Sequence, residues 1–215
     1  MCKLAILPKN IVYFGDGIVN ANLNDIKFDV RHIANDIVTA DKSNNIEQIR
    51  DTFTQKIATI YERLFYLHET EAASVAPHGR VQHGFFAGLN SAGIPIIAAD
   101  EITYDRGGTP KIVTKPMTFQ MDGDVTRDLV VAHPEIVAEF VIYNSNRAQD
   151  LLKRLGYIVG NSSVENYAIR AKAIATAIRD WSGDDKIGGD IAVITIERGK
   201  KWNWFNRPAF CPELR

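Results

Sequence analysis

Short apolar runs separated by turn-forming residues open the chain. The runs Lys3–Leu7 and Ile11–Phe14 flank Pro8–Asn10, whose composition is typical of a tight turn. This spacing predicts a β-hairpin whose second strand leads directly into Gly15-Asp16-Gly17. The beginning of the chain is therefore expected on one strand of a hairpin, with a Gly-Asp-Gly segment at the end of the other strand.

The pattern then changes from a strand period to a helix period. Polarity alternates from Asp29 to Ile33, which predicts a second hairpin across Ile26–Val38. After residue 45 the apolar residues recur in steps of three and four, which places them on one face of a helix of about six turns. These apolar positions are Ile46, Ile49, Phe53, Ile57, Ile60, Leu64 and Leu67. Asn44 or Asn45 is expected to cap the helix.

Strands and helices alternate through the remainder of the chain. Thr70–Gly84 is polar and rich in small residues, so it is predicted as a loop. Further strands are predicted over Gly84–Ala99 with a turn near Gly93, over Lys111–Thr114, Phe140–Tyr143 and Ile191–Ile196, and helices over Arg147–Leu155 and from Ser162 to Trp181. Ser162 and Glu165 have the spacing of a capping box. This order predicts a layered α+β protein, and 215 residues suit a single domain over 1–215.

The charge balance narrows the classes of partner. Lys plus Arg total 25 and Asp plus Glu total 26, which gives a net charge of −1. This balance gives no electrostatic reason to expect a nucleic acid or an anionic membrane as partner. Small molecules, peptides and further copies of the same chain remain as candidates.

The cysteines and histidines predict neither a disulfide framework nor a metal site. Cys2 and Cys211 are the two cysteines, and no metal-ligand spacing surrounds either of them. Four of the five histidines, His68, His78, His83 and His133, also lack such spacing and are expected on the surface or in loops. No cofactor is predicted. The amino terminus lacks a cationic stretch followed by an apolar run, and no segment has the ~20 apolar residues of a membrane span, so a reducing, cytoplasmic location is expected.

Cys2 is the residue with the clearest chemical potential. Removal of Met1 would leave a thiol and a free α-amine on one residue. An α-amine titrates near pH ~8 and a thiol near ~8.5, so the amine could accept the thiol proton at little cost around neutral pH. Such a residue would combine a nucleophile with its base. The alternative is that Cys2 is a small apolar residue at the start of a strand.

Three segments together resemble one protein family. They are Gly15-Asp16-Gly17 after the first hairpin, Asp29–Ile33 followed by Asn35-Asp36, and Ile178–Gly183 followed by Asp190–Ile194. Their order and spacing, from Met1 to about Ile196, are similar to those of proteasome β subunits, and especially of the bacterial two-component proteasome-like protease subunit. The resemblance implies the N-terminal nucleophile hydrolase fold, a four-layer α/β/β/α sandwich of two antiparallel sheets between helices. It also implies assembly into a homo-oligomeric ring.

The resemblance implies roles for residues near the beginning of the chain. Family members cleave amide bonds with an N-terminal threonine, and the matching position falls on Met1 or Cys2, of which only Cys2 could be a nucleophile. Asp16 matches the aspartate that orients a catalytic lysine, and His32 stands where that lysine is expected. A protonated His32 could promote thiolate formation as the lysine does, or it could be a packed or solvent-facing residue. Arg31 stays protonated and could hold a carboxylate.

Three residues in the second half of the chain match the same family pattern. Asp180 and Ser182 match an aspartate and a serine near the amine of the nucleophile, with one residue missing between them. Ser182 with Gly183 would equally suit the end of a helix. Ser145 matches the serine of a Gly-Ser-Gly segment in which asparagines here replace both glycines.

Two functions from different classes follow from the resemblance. The first is a cysteine-type N-terminal nucleophile peptidase or amidase. In it Cys2 attacks a peptide or small amide substrate, its α-amine relays the proton, and a backbone N–H stabilises the oxyanion. The second is a catalytically inactive proteasome-like subunit that acts in assembly or binding. An unrelated α+β enzyme acting on a small molecule is a third interpretation.

Overall fold

The computed structural model describes residues 4–18, 20–23, 25–75, 79–105, 111–120, 134–183 and 191–208. These residues belong to two compact units, each described by itself. The described residues of 2–120 and 198–202 form the first, named here the sheet unit, and those of 121–197 and 203–210 form the second, named the helical unit. The single domain over 1–215 stays a prediction, because two compact units can still unfold as one cooperative domain.

Five antiparallel strands form the main sheet of the sheet unit. In chain order the strands of this unit are β1 (Leu4–Leu7), β2 (Ile11–Gly17), β3 (Asn20–Asn22), β4 (Lys27–Asp29), β5 (Arg80–Leu89), β6 (Pro95–Asp105) and β7 (Lys111–Gln120). The order in the main sheet is β1-β2-β5-β6-β7, while β3 and β4 form a separate antiparallel pair. The first hairpin and the mixed α+β class are therefore confirmed. The predicted strand at Lys111–Thr114 is longer than expected because all ten residues of β7 pair with β6.

A helix occupies most of the segment in which a second hairpin was predicted, so that prediction is wrong. The helices of the sheet unit are α1 (Val30–Ala40), α2 (Ile46–Leu67) and α3 (Glu69–Val75). Asp29 caps α1, because its carboxylate accepts a hydrogen bond from the backbone N–H of Arg31 at 2.9 Å. The buried residues of α1 have helical spacing and are Val30, Ile33, Ala34, Ile37 and Val38. Five alternating residues were too few to separate the two periods.

The predicted loop over Thr70–Gly84 is also wrong at both ends. α3 continues the helical region after α2, with Ala72 buried and its backbone N–H bonded to the carbonyl of His68 at 2.9 Å. β5 begins at Arg80, directly after Gly79, which has a φ of 75°. That left-handed backbone conformation is open to glycine without steric cost, so Gly79 suits the entry into the strand.

α2 supplies the apolar face that covers the main sheet, as its periodicity predicts. Asn45 caps it, because its side-chain oxygen accepts hydrogen bonds from the backbone N–H groups of Glu47 and Gln48 at 2.9 and 3.1 Å. Phe53 of α2 is fully buried and lies against Tyr13 of β2 and Phe86 of β5, with ring centroids 5.3 and 5.1 Å away. These tilted aromatic contacts form the centre of the core between the helix and the sheet.

Asp100 is a buried carboxyl group that joins α2 to two strands. Its Oδ2 lies 2.6 Å from the hydroxyl oxygen of Thr54 on α2, and its Oδ1 accepts a hydrogen bond from the backbone N–H of Gly84 on β5 at 2.9 Å. Burial raises the pKa of Asp100 to about 6, against the lowering effect of these hydrogen bonds. A Cβ at residue 84 would lie 2.5 Å from Oδ1, so this contact requires glycine.

The neutral form of Asp100 completes the hydrogen bonds around it. The hydroxyl oxygen of Thr54 lies 2.8 Å from the carbonyl oxygen of Arg50 as well as close to the carboxyl group. A hydroxyl has one proton and cannot donate to both acceptors. When Asp100 is protonated it donates to Thr54, and Thr54 donates to Arg50. The raised pKa and the geometry therefore agree on a buried carboxylic acid at pH values below about 6.

Two further polar contacts hold α2 on the sheet. The guanidinium of Arg50, itself buried, donates to the carbonyl oxygens of Ala99 on β6 and Met117 on β7 at 3.2 and 2.8 Å. One turn beyond the middle of α2, the hydroxyl oxygen of Tyr61 lies 2.5 Å from the carbonyl oxygen of Ile18 and 2.8 Å from Oε1 of Gln82 on β5. Buried polar groups satisfied in this way specify one position of the helix on the sheet.

The helical unit contains three helices and one pair of strands. They are α4 (Pro134–Val141), α5 (Asn146–Arg154), α6 (Val164–Trp181), β8 (Val193–Thr195) and β9 (Asn203–Asn206). The predicted helices are confirmed with shifted ends, and Ser163, not Ser162, caps α6. The strand predicted at Phe140–Tyr143 is wrong: the backbone N–H groups of Ile142 and Tyr143 both donate to the carbonyl of Ala138, which continues the helical turn. An apolar run of four residues does not distinguish a strand from a helix end.

We expect Asp100→Asn to remove a pH dependence of stability. The pKa of Asp100 is about 6 in the folded protein against an ordinary value of 3.8. The native protein therefore loses stability as the pH rises from about 4 to about 6, by a total of about 3 kcal/mol. The amide of asparagine keeps a hydrogen-bond donor and an acceptor but cannot ionise. Relative to the wild-type protein, the free energy of unfolding of the variant should therefore rise by this amount between about pH 4 and pH 6. Urea unfolding at several pH values measures the difference.

Asp36→Asn is the matched control for this experiment, because it makes the same chemical change on the exposed side of α1. Its free energy of unfolding should follow that of the wild-type protein across the pH range. Parallel stability curves for the wild-type and Asp100→Asn proteins between about pH 4 and pH 7 would show that Asp100 is ionised throughout and would contradict the assignment.

Candidate functional site

The structure describes all of the predicted site residues except the nucleophile. Cys2 and Cys211 lie outside the described residues. Asp16 lies on β2, where its backbone is paired in register with His83 of β5. Leu4, at the beginning of β1, is paired with Phe14, so Asp16 is two residues further along β2 than the last residue paired with β1.

Arg31 and His32 lie on a helix, not on the strand that was expected to carry them. The guanidinium Nε of Arg31 donates to Asp29 Oδ1 at 3.0 Å, beside the backbone hydrogen bond that caps α1. Partial burial would raise the pKa of Asp29, but the hydrogen bonds from Arg31 outweigh it and the pKa is lowered. His32 is exposed in the first turn of α1. Arg31 thus stabilises a helix start, and His32 faces solvent.

The three candidates in the helical unit have local structural contacts. Ser145 caps α5 by accepting a hydrogen bond from the backbone N–H of Ala148, and its hydroxyl donates to Glu139 Oε2 at 2.9 Å. Ser182 ends α6, where its backbone N–H donates to the carbonyl of Ile178 at 3.3 Å. Asp180 accepts from the guanidinium of Arg179 at 2.6 and 3.1 Å, which lowers its pKa. Ser145 and Ser182 thus lie at helix ends, and Asp180 forms an ion pair with its neighbour in the same helix.

A row of ionisable residues crosses three adjacent strands of the main sheet. Asp16 of β2 is paired in register with His83 of β5, and His83 is paired with Glu101 of β6. His83 is 7% exposed, and its Nε2 lies 3.4 Å from Glu101 Oε1. This distance allows an ion pair when the imidazole is protonated. We name Asp16, His83 and Glu101 the cross-strand row.

The histidine of the cross-strand row lies on the face of the sheet opposite to α2. Phe86 of β5 packs on Phe53 of α2. Successive side chains of a strand point to opposite faces, so His83 and Phe85, at odd-numbered positions of β5, point away from α2. Phe85 is buried, stacks on Phe14 with 4.4 Å between ring centroids, and has its ring 6.0 Å from that of His83. The imidazole therefore has an aromatic neighbour on its own strand and a carboxylate on the next.

A buried histidine beside a carboxylate is suited to proton transfer. A neutral imidazole accepts a proton on one ring nitrogen, and a carboxylate in contact with the ring orients it and stabilises the imidazolium that forms. Apolar surroundings strengthen this electrostatic pairing, because the effective dielectric constant is lower than in water. The contact between His83 and Glu101 can therefore provide a general base for a nucleophile that comes within reach of the row.

Sequence reasoning missed His83, which was expected on the surface or in a loop. That prediction is wrong, because His83 is a buried residue in the middle of β5. A signal was present in its neighbours: Val81, Phe85 and Phe86 are apolar and fully buried, so the histidine stands within a strand-like run. The partner Glu101 could not have been found in the same way, since the register of β5 and β6 decides which residue stands opposite.

Comparison of the chain with protein-family models, with curated proteins and with solved structures gives no match. Across the described parts of the chain, no helix has both the length and the apolar character needed to cross a bilayer. The candidate site therefore rests on the geometry of the main sheet.

Ser145→Ala should lower the free energy of unfolding by about 1 kcal/mol, because it removes the cap of α5. Ser91→Ala, at an exposed turn position of the sheet unit, is the control and should leave stability unchanged. Urea unfolding of both variants measures the effect. Equal stability of Ser145→Ala and the wild-type protein would contradict the capping role and would return Ser145 to the list of catalytic candidates.

Proposed function

We propose that this protein is an N-terminal nucleophile hydrolase of the proteasome-like kind, a peptidase or amidase that cleaves amide bonds with Cys2 after loss of Met1. The observation that carries the proposal is the cross-strand row, in which His83 Nε2 lies 3.4 Å from Glu101 and Asp16 stands opposite His83 in register. In this proposal His83 replaces His32 as the imidazole of the site.

The direction of β1 supports the choice of nucleophile. In an antiparallel pair one strand runs backward as the other runs forward. Leu4 pairs with Phe14, so the Leu4 end of β1 is the end nearer to Asp16. Cys2 precedes Leu4 by two residues in sequence, and Asp16 follows Phe14 by two. Our proposal is that the thiol of Cys2 reaches the row from this end of the hairpin.

The proposed reaction proceeds through a thioester. The Cys2 sulfur bonds to the carbonyl carbon of the amide while its proton passes to His83, the base of the cross-strand row. The carbon–nitrogen bond then breaks, and the amine leaves with that proton. Water attacks the thioester and gives one proton to the base, the carbon–sulfur bond breaks, the carboxylic acid product leaves, and the base passes the proton from water to the sulfur. A peptide or a small amide is the substrate class.

The finer fold and the assembly belong to the same proposal. The main sheet with α2 on one face offers one sheet layer and one helix layer of a four-layer α/β/β/α sandwich. The homo-oligomeric ring and the cytoplasmic location rest on the family resemblance and the composition. Native mass spectrometry tests the ring, and a monomer at micromolar concentration would contradict it.

An inactive proteasome-like subunit, acting in assembly or binding, is the second candidate. The observation that favours it is that Arg31, Ser145 and Ser182 make contacts that cap or end helices, and His32 is exposed. In a subunit that has lost catalytic activity, residues at the positions of the catalytic pattern are expected to have structural roles such as capping or ending a helix.

Thiol labelling separates the two functions. The intact mass of the untagged protein shows whether Met1 is removed, and iodoacetamide labelling with peptide mapping gives separate rates for Cys2 and Cys211. For the active enzyme we expect Met1 to be absent. We also expect Cys2 to react at least about tenfold faster near pH 7 than an ordinary thiol, which is only a few per cent ionised there.

His83→Gln and His32→Gln are matched variants, since both replace a histidine in the sheet unit. We expect His83→Gln to slow alkylation of Cys2 about tenfold or more, because it removes the base, and His32→Gln to leave the rate unchanged. Circular dichroism checks that both variants fold. The opposite result would reinstate His32 and reject the cross-strand row, while a retained Met1 with an ordinary Cys2 thiol would support the inactive subunit.

A further inference from the structure

The helical unit contains an open cavity of about 370 Å³ with a positively charged lining. Lys172, Thr176 and Arg179 of α6 line one side, at a spacing of four and then three residues that places them on one face of the helix. Asn206, the last residue of β9, and Arg207 line another side. A helix and a strand end thus bring three cationic side chains to one cavity.

The charged side chains of this cavity are held in place by contacts within the helical unit. Lys172 Nζ donates to Asn206 Oδ1 at 2.9 Å, and the amide of Asn206 donates in turn to the carbonyl of Ile191. The guanidinium of Arg207 lies over the ring of Trp204, 5.8 Å from its centroid. Side chains that are already ordered lose less conformational entropy when a ligand binds.

We propose that this cavity binds a small phosphate-bearing molecule. Its described lining contains three cationic residues and no acidic one. Asp180 pairs with Arg179 but is not part of the described lining. A phosphate monoester carries about −1.5 to −2 charges at neutral pH and has three acceptor oxygens, whereas a carboxylate carries one charge. Lys172 and Arg207 supply two positive charges, and Arg179, which also pairs with Asp180, supplies further guanidinium donors. This set matches the larger charge and the larger number of acceptors.

The size of the cavity indicates that the ligand has an organic part as well as a phosphate. The volume lies within the range of about 300–1,000 Å³ that is usual for small-molecule sites and is larger than inorganic phosphate requires. The site belongs to the helical unit and the cross-strand row to the sheet unit. The ligand site and the hydrolase can therefore be tested, and can fail, separately.

Isothermal titration calorimetry of the full chain with phenyl phosphate and with benzoate tests the proposal. Both probes have one aromatic ring and differ in the anionic group. In buffer of constant ionic strength we expect phenyl phosphate to bind with a Kd at least about tenfold lower than that of benzoate. Lys172→Gln and Arg207→Gln should each raise the Kd for phenyl phosphate about tenfold, because each removes a charged hydrogen-bond donor.

Lys153→Gln is the matched control, since it removes one exposed positive charge from α5 of the same unit. It should leave the Kd unchanged, and circular dichroism should show a native fold for all three variants. Arg207 is exposed, so its substitution also tests the site if Lys172→Gln fails to fold. Absence of saturable binding, equal affinity for benzoate, or an equal effect of Lys153→Gln would each overturn the proposal.

Discussion

The buried carboxyl group of Asp100 is the contact on which the arrangement of the sheet unit depends. It joins Thr54 of α2 to Gly84 of β5 from a position on β6, so three elements meet at one side chain. Apolar packing alone is not directional and would tolerate several positions of α2. Hydrogen bonds to a buried group tolerate only one, because a buried polar group without its partner is costly.

The polar contacts of α2 also decide what lies on the opposite face of the sheet. Tyr61 contacts the side chain of Gln82, and Asp100 accepts from the backbone N–H of Gly84. These contacts determine that the even-numbered positions of this part of β5 face α2. His83 and Phe85 must then lie on the other face, since successive residues of a strand alternate. A shift of register by one residue would exchange the two sets. The core network on one face therefore positions the candidate base on the other.

Local patterns predicted the elements whose signals are long or chemically specific. The helix at Ile46–Leu67 has six turns of consistent periodicity and an asparagine cap, and the first hairpin has a clear turn between two apolar runs. The errors at Asp29–Ile33 and Phe140–Tyr143 involve four or five residues, in which strand and helix patterns overlap. Asp29 acts as a helix cap through one hydrogen bond that alternation of polarity cannot reveal.

The sequence alone was sufficient to predict the α+β class, the hairpin that leads to Asp16 and an amphipathic helix of about six turns. It also singled out Cys2 as a potential nucleophile, from its place in the chain. It took the folded structure to place His32 on a helix and to bring His83 next to Glu101 on the neighbouring strand. The reason is that periodicity and capping depend on neighbours in the chain, whereas strand register brings together residues that are far apart in it.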